Sequence, residues 1–415
     1  MMKLATAVRT ALCLLLLSFE PGAEGLAGGA EDELAVRAAR LAQELVIVDT
    51  HIDLPDRLRA SWEDVAGRTA RGDFDFVRAR QGGLDVAFMS IYVSSSLDGK
   101  SKATARADQL IDTVEAIVAR SPEKFALVRS VSEIRALAGK DRVLLALGME
   151  NGSPIGGSLA TLRRFYGRGV RYITLAHARS NALADASYDT KRPWKGLSPF
   201  GRTVVREMNR LGIMVDISHL SDRAAEQILA LSTAPVIASH SSCRHFTPGW
   251  ERNISDTLIR AVGKAGGVVQ VNFGSEFLTE EARQYDRRSK AEVKEHVRAK
   301  GWQQGGSQAT AYARQYSEEH PFPRASVRDV ADHIDHVIGL AGIDHVGLGS
   351  DFDGVGDTLP HDLPDVAGYP ALIAELLRRG YSEGDVAKVC SGNLLRVWEA
   401  VEKVAAKERS HDATR

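Results

Sequence analysis

The chain has 415 residues, 44% of them hydrophobic and 26% charged, which matches an ordinary folded protein and is too apolar for a disordered one. Lys and Arg number 53 against 54 Asp and Glu, so no basic field of the kind nucleic acid requires is present, and a nucleic-acid partner is not expected. The length exceeds a common single domain, yet one α/β barrel with insertions accommodates it.

The first residues depart from this average. Met1 to Arg9 carries Lys3 and Arg9 and no acid, Ala11 to Leu17 is unbroken apolar sequence, and Ala23-Glu24-Gly25 offers the small residues a signal peptidase needs. This pattern predicts a leader over residues 1–25 and a mature domain over 26–415, periplasmic or secreted. The apolar run is much shorter than the ~20 residues that span a bilayer, so no retained membrane anchor is expected. Leu12 precedes Cys13, where a lipoprotein signal wants a small residue, and the polar Ala405 to Arg415 does not suit a glycolipid anchor. Removing the leader leaves Cys243 and Cys390, which allow at most one bridge and read as two buried thiols. Asn151-Gly-Ser153 and Asn253-Ile-Ser255 match the glycosylation sequon, but both fall in segments assigned below to the active site and are read as chance matches.

From Leu45 onward short apolar runs alternate with amphipathic stretches. Strands are predicted at Leu45 to Asp49, Asp85 to Tyr92, Val143 to Met149, Val170 to Leu175, Met214 to Ile217, Val236 to Ser239, Val268 to Asn272 and His345 to Gly349. Continuous apolar runs of this kind suit parallel strands covered on both faces. Helices are predicted at Ala103 to Arg120, Leu159 to Gly167, Pro199 to Leu211, Asp222 to Leu231, Thr257 to Ala265 and Val327 to Leu340, with Gly212 and Gly342 placed as left-handed caps. Eight strands separated by helices suggest a (β/α)8 TIM barrel. Residues 276–324 interrupt the rhythm as a long charged insertion, with helical pattern only in Ala291 to Ala299. Two further helices, Tyr369 to Arg379 and Asp385 to Val401, form a C-terminal extension whose last residues read as frayed.

Metal-ligand residue types collect at the predicted strand ends. Asp49-Thr-His51-Ile-Asp53 closes the first strand, and His-x-Asp on extended backbone sends both side chains to one side. Glu150 ends the third strand, His219 follows the fifth, His240 follows the sixth, and Asp351-Phe-Asp353-Gly354 follows the eighth. In a barrel these positions gather at the C-terminal mouth, where such folds place catalysis. A lone histidine at a strand end is more often structural. Together His51, Asp53, Glu150, His219 and His240 make a nitrogen and oxygen set typical of zinc or a similar divalent ion. Five protein ligands exceed what one catalytic zinc takes, so two metals bridged by a carboxylate fit better, with Glu150 as the bridge. The sequence shows no phosphate loop, no Gly-x-Ser-x-Gly elbow and no His-Glu-x-x-His helix, which leaves water as the nucleophile. Asp351 stands where a proton shuttle is expected, with Asp353 as the competing choice.

The segments Val48-Asp-Thr-His-Ile-Asp-Leu-Pro55, Gly148-Met-Glu-Asn-Gly152, Arg171-Tyr-Ile-Thr-Leu-Ala-His177, Leu197-Ser-Pro-Phe-Gly-Arg202, Asp216-Ile-Ser-His219, Ser239-His-Ser-Ser242, Gly347-Leu-Gly-Ser-Asp-Phe-Asp-Gly354 and Ser391-Gly-Asn-Leu-Leu-Arg396 occur in that order. The sequence from about Leu45 to Glu402 resembles the renal (membrane) dipeptidase family. The resemblance implies a (β/α)8 barrel with a binuclear zinc centre that hydrolyses dipeptides through a hydroxide bridging the metals. His51 and Asp53 resemble the ligands of one zinc, His219 and His240 those of the other, and Glu150 the bridging carboxylate. His177 resembles the histidine that contacts substrate at the scissile carbonyl. Arg252 resembles the arginine that receives the substrate carboxylate, a role suited to a planar guanidinium fork. Asp351 resembles the acid that handles the water and the leaving amine. Family members are commonly homodimers, and they differ in substrate and in tolerance for a C-terminal D-residue.

Ile52 stands where the renal enzyme has a polar residue, and Asn151 where the family often has glycine. The 276–324 insertion has no confident counterpart and is expected to form a lid or a subunit contact. The competing readings are a related amide or lactam hydrolase of a biosynthetic or cell-wall pathway, a non-catalytic periplasmic barrel, and a mononuclear deaminase-like hydrolase.

Overall fold

The computed structural model describes residues 23–139 and 141–413, with side chains over 31–139 and 141–411; most of the predicted leader, residues 1–22, lies outside them. Among the described residues there are nine parallel strands: β1 (Ile47–Ile52), β2 (Leu84–Tyr92), β3 (Phe125–Leu127), β4 (Val143–Glu150), β5 (Val170–Thr174), β6 (Met214–Asp216), β7 (Ile237–Ala238), β8 (Val268–Val271) and β9 (Val346–Leu348). Their order, β1-β2-β4-β5-β6-β7-β8-β9, is that of a (β/α)8 barrel, and β3 pairs only with the first residues of β4. The ring is completed past β9, where Asp351 N donates to His51 O at 3.0 Å and Asp53 N donates to Phe352 O at 2.8 Å. Ile52, the apolar replacement noted above, bridges Phe352 at this seam and is buried in the core between barrel and helices. All eight barrel strands lie at their predicted positions, within a few residues at each end. The short β3 was not anticipated, because three residues carry no periodicity.

The strands are apolar on both faces because both faces are covered. Every residue of β4 is buried, and the same holds for β5, β6 and β8. Inside the barrel, Val86, Phe88, Leu144, Tyr172, Met214 and Val268 form a cluster that Leu394, Val397 and Trp398 complete. Trp398 packs 5.3 Å from the Phe88 ring, so the helix Asn393–Ala413 closes the end of the barrel opposite the strand C-termini. That helix continues past the predicted Val401 to Ala413, and residues 414–415 of the end expected to fray lie outside the described ones.

The outer helices begin and end where local chemistry dictates. Pro199–Leu211 starts with Ser198 accepting from Gly201 N at 2.8 Å and ends at Gly212, whose φ of 91° is the left-handed cap that glycine favours. Gly342 departs from the expected cap: its φ of 94° comes with a ψ of 161°, the mirror-image extended conformation. The insertion is mostly helical, with Ser275–Leu278, Glu280–Ala299 and Ser307–Glu319. The two longer helices form a hairpin, joined by His296 stacked on Tyr312 at 3.6 Å. Their polar composition hid them from a search for an apolar stripe, so the predicted Ala291 to Ala299 is only the end of one. Among the described residues no helix is long and apolar enough to cross a membrane.

Candidate metal centre

His51 and Asp53 close β1, Glu150 ends β4, and His177, His219, His240 and Asp351 stand on the loops leaving β5, β6, β7 and β9. All face the C-terminal mouth of the barrel. Glu150 is the centre of the group. Its Oε2 lies 3.5 Å from His51 Nε2, and its Oε1 lies 2.9 Å from His219 Nε2 and 3.4 Å from both His240 Nε2 and His177 Nε2. His51 Nε2 also lies 3.5 Å from Asp53 Oδ2 and 4.0 Å from Asp351 Oδ1. One carboxylate thus turns each of its oxygens to a different set of nitrogens, the arrangement a bridging ligand requires.

Unsatisfied atoms mark this as a site for cations. His51 Nε2 and Asp53 Oδ1 are buried with no hydrogen-bond partner, and the Nε2 atoms of His219 and His240 face each other at 2.7 Å. Buried polar atoms left in this state are costly unless something binds between them. A Cβ on Gly354 would fall 2.3 Å from Asp53 Oδ2 and 2.4 Å from Asp351 Oδ1, so only glycine fits beside these two acids.

The outer contacts set the protonation of the ring nitrogens. Asp216 accepts from Ser218 N at 3.0 Å, Ser239 N at 2.8 Å, Ser239 Oγ at 2.6 Å and the Thr174 hydroxyl. Ser239 therefore directs its hydroxyl hydrogen at Asp216 and accepts from His240 Nδ1, 2.8 Å away, which leaves the lone pair of His240 on Nε2, pointing at Glu150. His51 Nδ1 meets the Tyr172 hydroxyl at 2.7 Å. Burial pushes His219 and His240 well below the usual imidazole range, in company with Arg252 for the first and His51 for the second, so both stand neutral. Burial works against ionised Glu150, yet its carboxyl lies well below the usual range, with His177 and His51 the first groups that lower it.

The loop residues that carry chemistry are held in uncommon backbone conformations. His219, Asp351 and Asp353 have φ of 65°, 66° and 64°, a region that costs a non-glycine residue ~1–3 kcal/mol and persists where surrounding contacts impose it. Asn151 has φ of 75°, which explains why glycine is common there in the family that the sequence resembles, and its side chain donates to Val93 O at 2.8 Å. Of the two competing acids, Asp351 faces the cluster, with Oδ2 accepting from Asn272 Nδ2 at 2.7 Å and Oδ1 left toward His51. Asp353 has both oxygens occupied elsewhere, by Asp73 N at 2.6 Å and Arg57 Nε at 3.1 Å. Arg252, 2% exposed, donates from Nη2 to His240 O at 2.8 Å and from Nη1 to Ser241 Oγ at 3.2 Å, and its Nε has no partner.

A cavity of about 530 Å³ opens over the cluster. Asp53, Glu150, His177, His219 and Asp351 form its floor, Tyr92 and Tyr188 its sides, and Glu276, Phe277, Asp286 and Lys290 of the insertion the remaining wall. Sequence reading missed Tyr172, Asp216, Ser239 and Asn272 as supports, although a carboxylate ending an apolar run, as Asp216 does, is a usable signal. It expected the insertion as a lid or a subunit contact without naming residues, and the structure places Glu276, Phe277, Asp286 and Lys290 in the cavity wall. A second group of ligand types, His245, Asp256 and His336, lies elsewhere, but its imidazoles are stacked at 4.4 Å and 23°, so their in-plane lone pairs diverge from a common point. Cys243 and Cys390 are buried and unbridged.

Residues 35–412 match the family model described as membrane dipeptidase, peptidase family M19. Two uncharacterised dipeptidases of Schizosaccharomyces pombe are similar: one is 34% identical over 372 residues, covering 86% of this chain and 81% of that protein, and the other 35% identical over 396 residues, covering 90% and 85%. Among solved structures, the probable dipeptidase PvdM from Pseudomonas aeruginosa superposes with a TM-score of 0.78 at 27% identity, covering 90% of this chain and all of that one. A metallopeptidase from Rhodobacter sphaeroides, liganded with a phosphinate mimic of the dipeptide L-Ala-D-Ala, gives 0.70 at 26% identity, covering 86% and 99%.

Proposed function

We propose, from the premise that the chain belongs to the membrane dipeptidase family, peptidase family M19, and is a metallo-dipeptidase, that it works with two zinc ions and hydrolyses free dipeptides, including those with a C-terminal D-residue. The observation that carries this reading is Glu150, whose two oxygens face two separate groups of ligand atoms. His51, Asp53 and Glu150 would hold one ion, and Glu150, His219 and His240 the other, as their mutual contacts allow. Bound zinc supplies an activated water near neutral pH and polarises a carbonyl.

The chain's own residues do the rest. Arg252, with Nε unpartnered and the guanidinium otherwise anchored, receives the substrate's C-terminal carboxylate. Burial pushes His177 down, so it stands neutral and donates an N–H to the oxygen on which negative charge develops. Burial pushes the Asp351 carboxyl up to about 7, aided by Asp53 and Glu150 and opposed by His51. With Oδ2 held by Asn272, its Oδ1 is the atom that takes the proton of the attacking water and passes it to the leaving amine. Tyr188, 41% exposed at the mouth, and Tyr92, edge-on to His177 at 5.0 Å, limit the space to a short substrate. The leader pattern of residues 1–25 supports a periplasmic or secreted location, and the family habit supports a homodimer.

The test is His219→Ala, assayed on dipeptides with metal content measured by mass spectrometry. It should abolish turnover and remove one of two metals per chain; retained turnover with full metal would refute the assignment.

A further inference from the structure

The insertion gives the cavity a wall that the barrel strands do not supply. Its first turn, Ser275–Leu278, brings Glu276 and Phe277 to the cavity in succession, and the helix Glu280–Ala299 adds Asp286 and Lys290. This wall is fixed to Arg252. The guanidinium carbon of Arg252 lies 5.1 Å from the Phe277 ring centre, and the Trp250 ring stacks on Phe277 at 5.1 Å and 14°. Arg283 covers Trp250 at 5.0 Å, and Asn253 Nδ2 donates to Phe277 O at 2.8 Å. Glu276, one residue before Phe277, is therefore held close to whatever Arg252 binds.

The charges on this wall do not balance. Lys290 Nζ pairs with Asp286 Oδ2 at 2.7 Å, and Glu276 shares a side-chain hydrogen bond with that same Asp286, so one ammonium serves two acids. Burial, and next the like charge of Asp286, push the Glu276 carboxyl up to about 7, against the pull of Lys290 and Arg252. A carboxyl kept neutral by burial and by a hydrogen-bonded, like-charged neighbour is relieved when a cation enters beside it.

We propose that Glu276 is a specificity-determining residue that selects dipeptides whose C-terminal residue carries a cationic side chain. This rests on the dipeptidase reading given above. The scissile carbonyl has to reach His177 and the ligand cluster, so the carboxylate end of the substrate lies at Arg252. The side chain of that same residue then emerges beside Phe277, toward Glu276. A lysine-type ammonium there meets an acid that shares one ammonium with Asp286, whereas an acidic side chain meets two carboxylates.

The test uses the zinc-loaded full chain and reads kcat/KM for L-Ala-L-Lys, L-Ala-L-Ala, L-Ala-L-Glu and L-Lys-L-Ala. L-Ala-L-Lys should exceed L-Ala-L-Ala by about five- to tenfold, the size of a partly desolvated ion pair, and L-Ala-L-Glu should be the poorest. Glu276→Gln should bring the Lys to Ala ratio close to one, and Glu276→Lys should invert the order in favour of L-Ala-L-Glu. Hydrolysis of all four without preference, a ratio that survives in Glu276→Gln, or a preference for L-Lys-L-Ala over L-Ala-L-Lys would overturn the assignment. Hydrolysis by the wild-type chain of none of these four and none of their counterparts with a C-terminal D-residue would instead overturn the dipeptidase reading itself.

Discussion

Phe277→Ala tests whether the insertion positions the substrate anchor. The ring contacts two groups: the guanidinium of Arg252 at 5.1 Å, in a site where that arginine is 2% exposed, and the Trp250 ring at 5.1 Å. A desolvated cation–π contact contributes about 2 kcal/mol and a stacked ring pair about 1 kcal/mol. Arg252 keeps its hydrogen bonds to His240 O and Ser241 Oγ, so only part of this reaches the substrate. The expected effect is a rise in KM of about 10- to 30-fold, or about 1.4–2 kcal/mol, with kcat within a few-fold because no reacting atom is touched. Steady-state kinetics on L-Ala-L-Ala should be compared with the same dipeptide as its C-terminal amide, which has no carboxylate for Arg252 to hold. Phe277→Leu, which keeps volume but lacks the ring face, should fall between wild type and alanine. An equal loss on the amide, or a fall in kcat at constant KM, would refute the reasoning.

Asp216→Ala should weaken metal binding about 10- to 100-fold without removing a ligand, because Ser239 is then free to turn its proton toward His240. Zinc titration against a chelator reads this, and unchanged affinity would mean that the Asp216-Ser239-His240 chain does not set the tautomer. Asp49→Ala should destabilise the fold by about 3–5 kcal/mol, since it strips a buried acceptor from His51 N, Ser350 N and the Tyr369 hydroxyl at the barrel seam. Asp49→Asn should recover much of that in denaturant unfolding; a loss under 1 kcal/mol in the alanine variant would show that the seam does not depend on it.

The sequence by itself determined the barrel and the acids and histidines gathered at its mouth, because both are local. Parallel strands covered on two faces have to be continuous apolar runs, so Val143 to Met149 or Val268 to Asn272 announce themselves without knowledge of their neighbours. His51, Asp53, Glu150, His219 and His240 are legible because each ends such a run, and the barrel brings all run ends to one mouth. What only the tertiary structure decided depends on pairs far apart in the chain. Asp351 and Asp353 are equivalent in sequence, and the difference arises from Asn272 reaching one while Asp73 and Arg57 take the other. Asp216 is one acid among many until Thr174 and Ser239 converge on it. The polar helices of the insertion carry no apolar stripe to read, and their place over the cavity follows from Phe277 meeting Arg252 and Trp250. Chain-local patterning records which side chains must be buried, but which of them meet is fixed only when the fold closes.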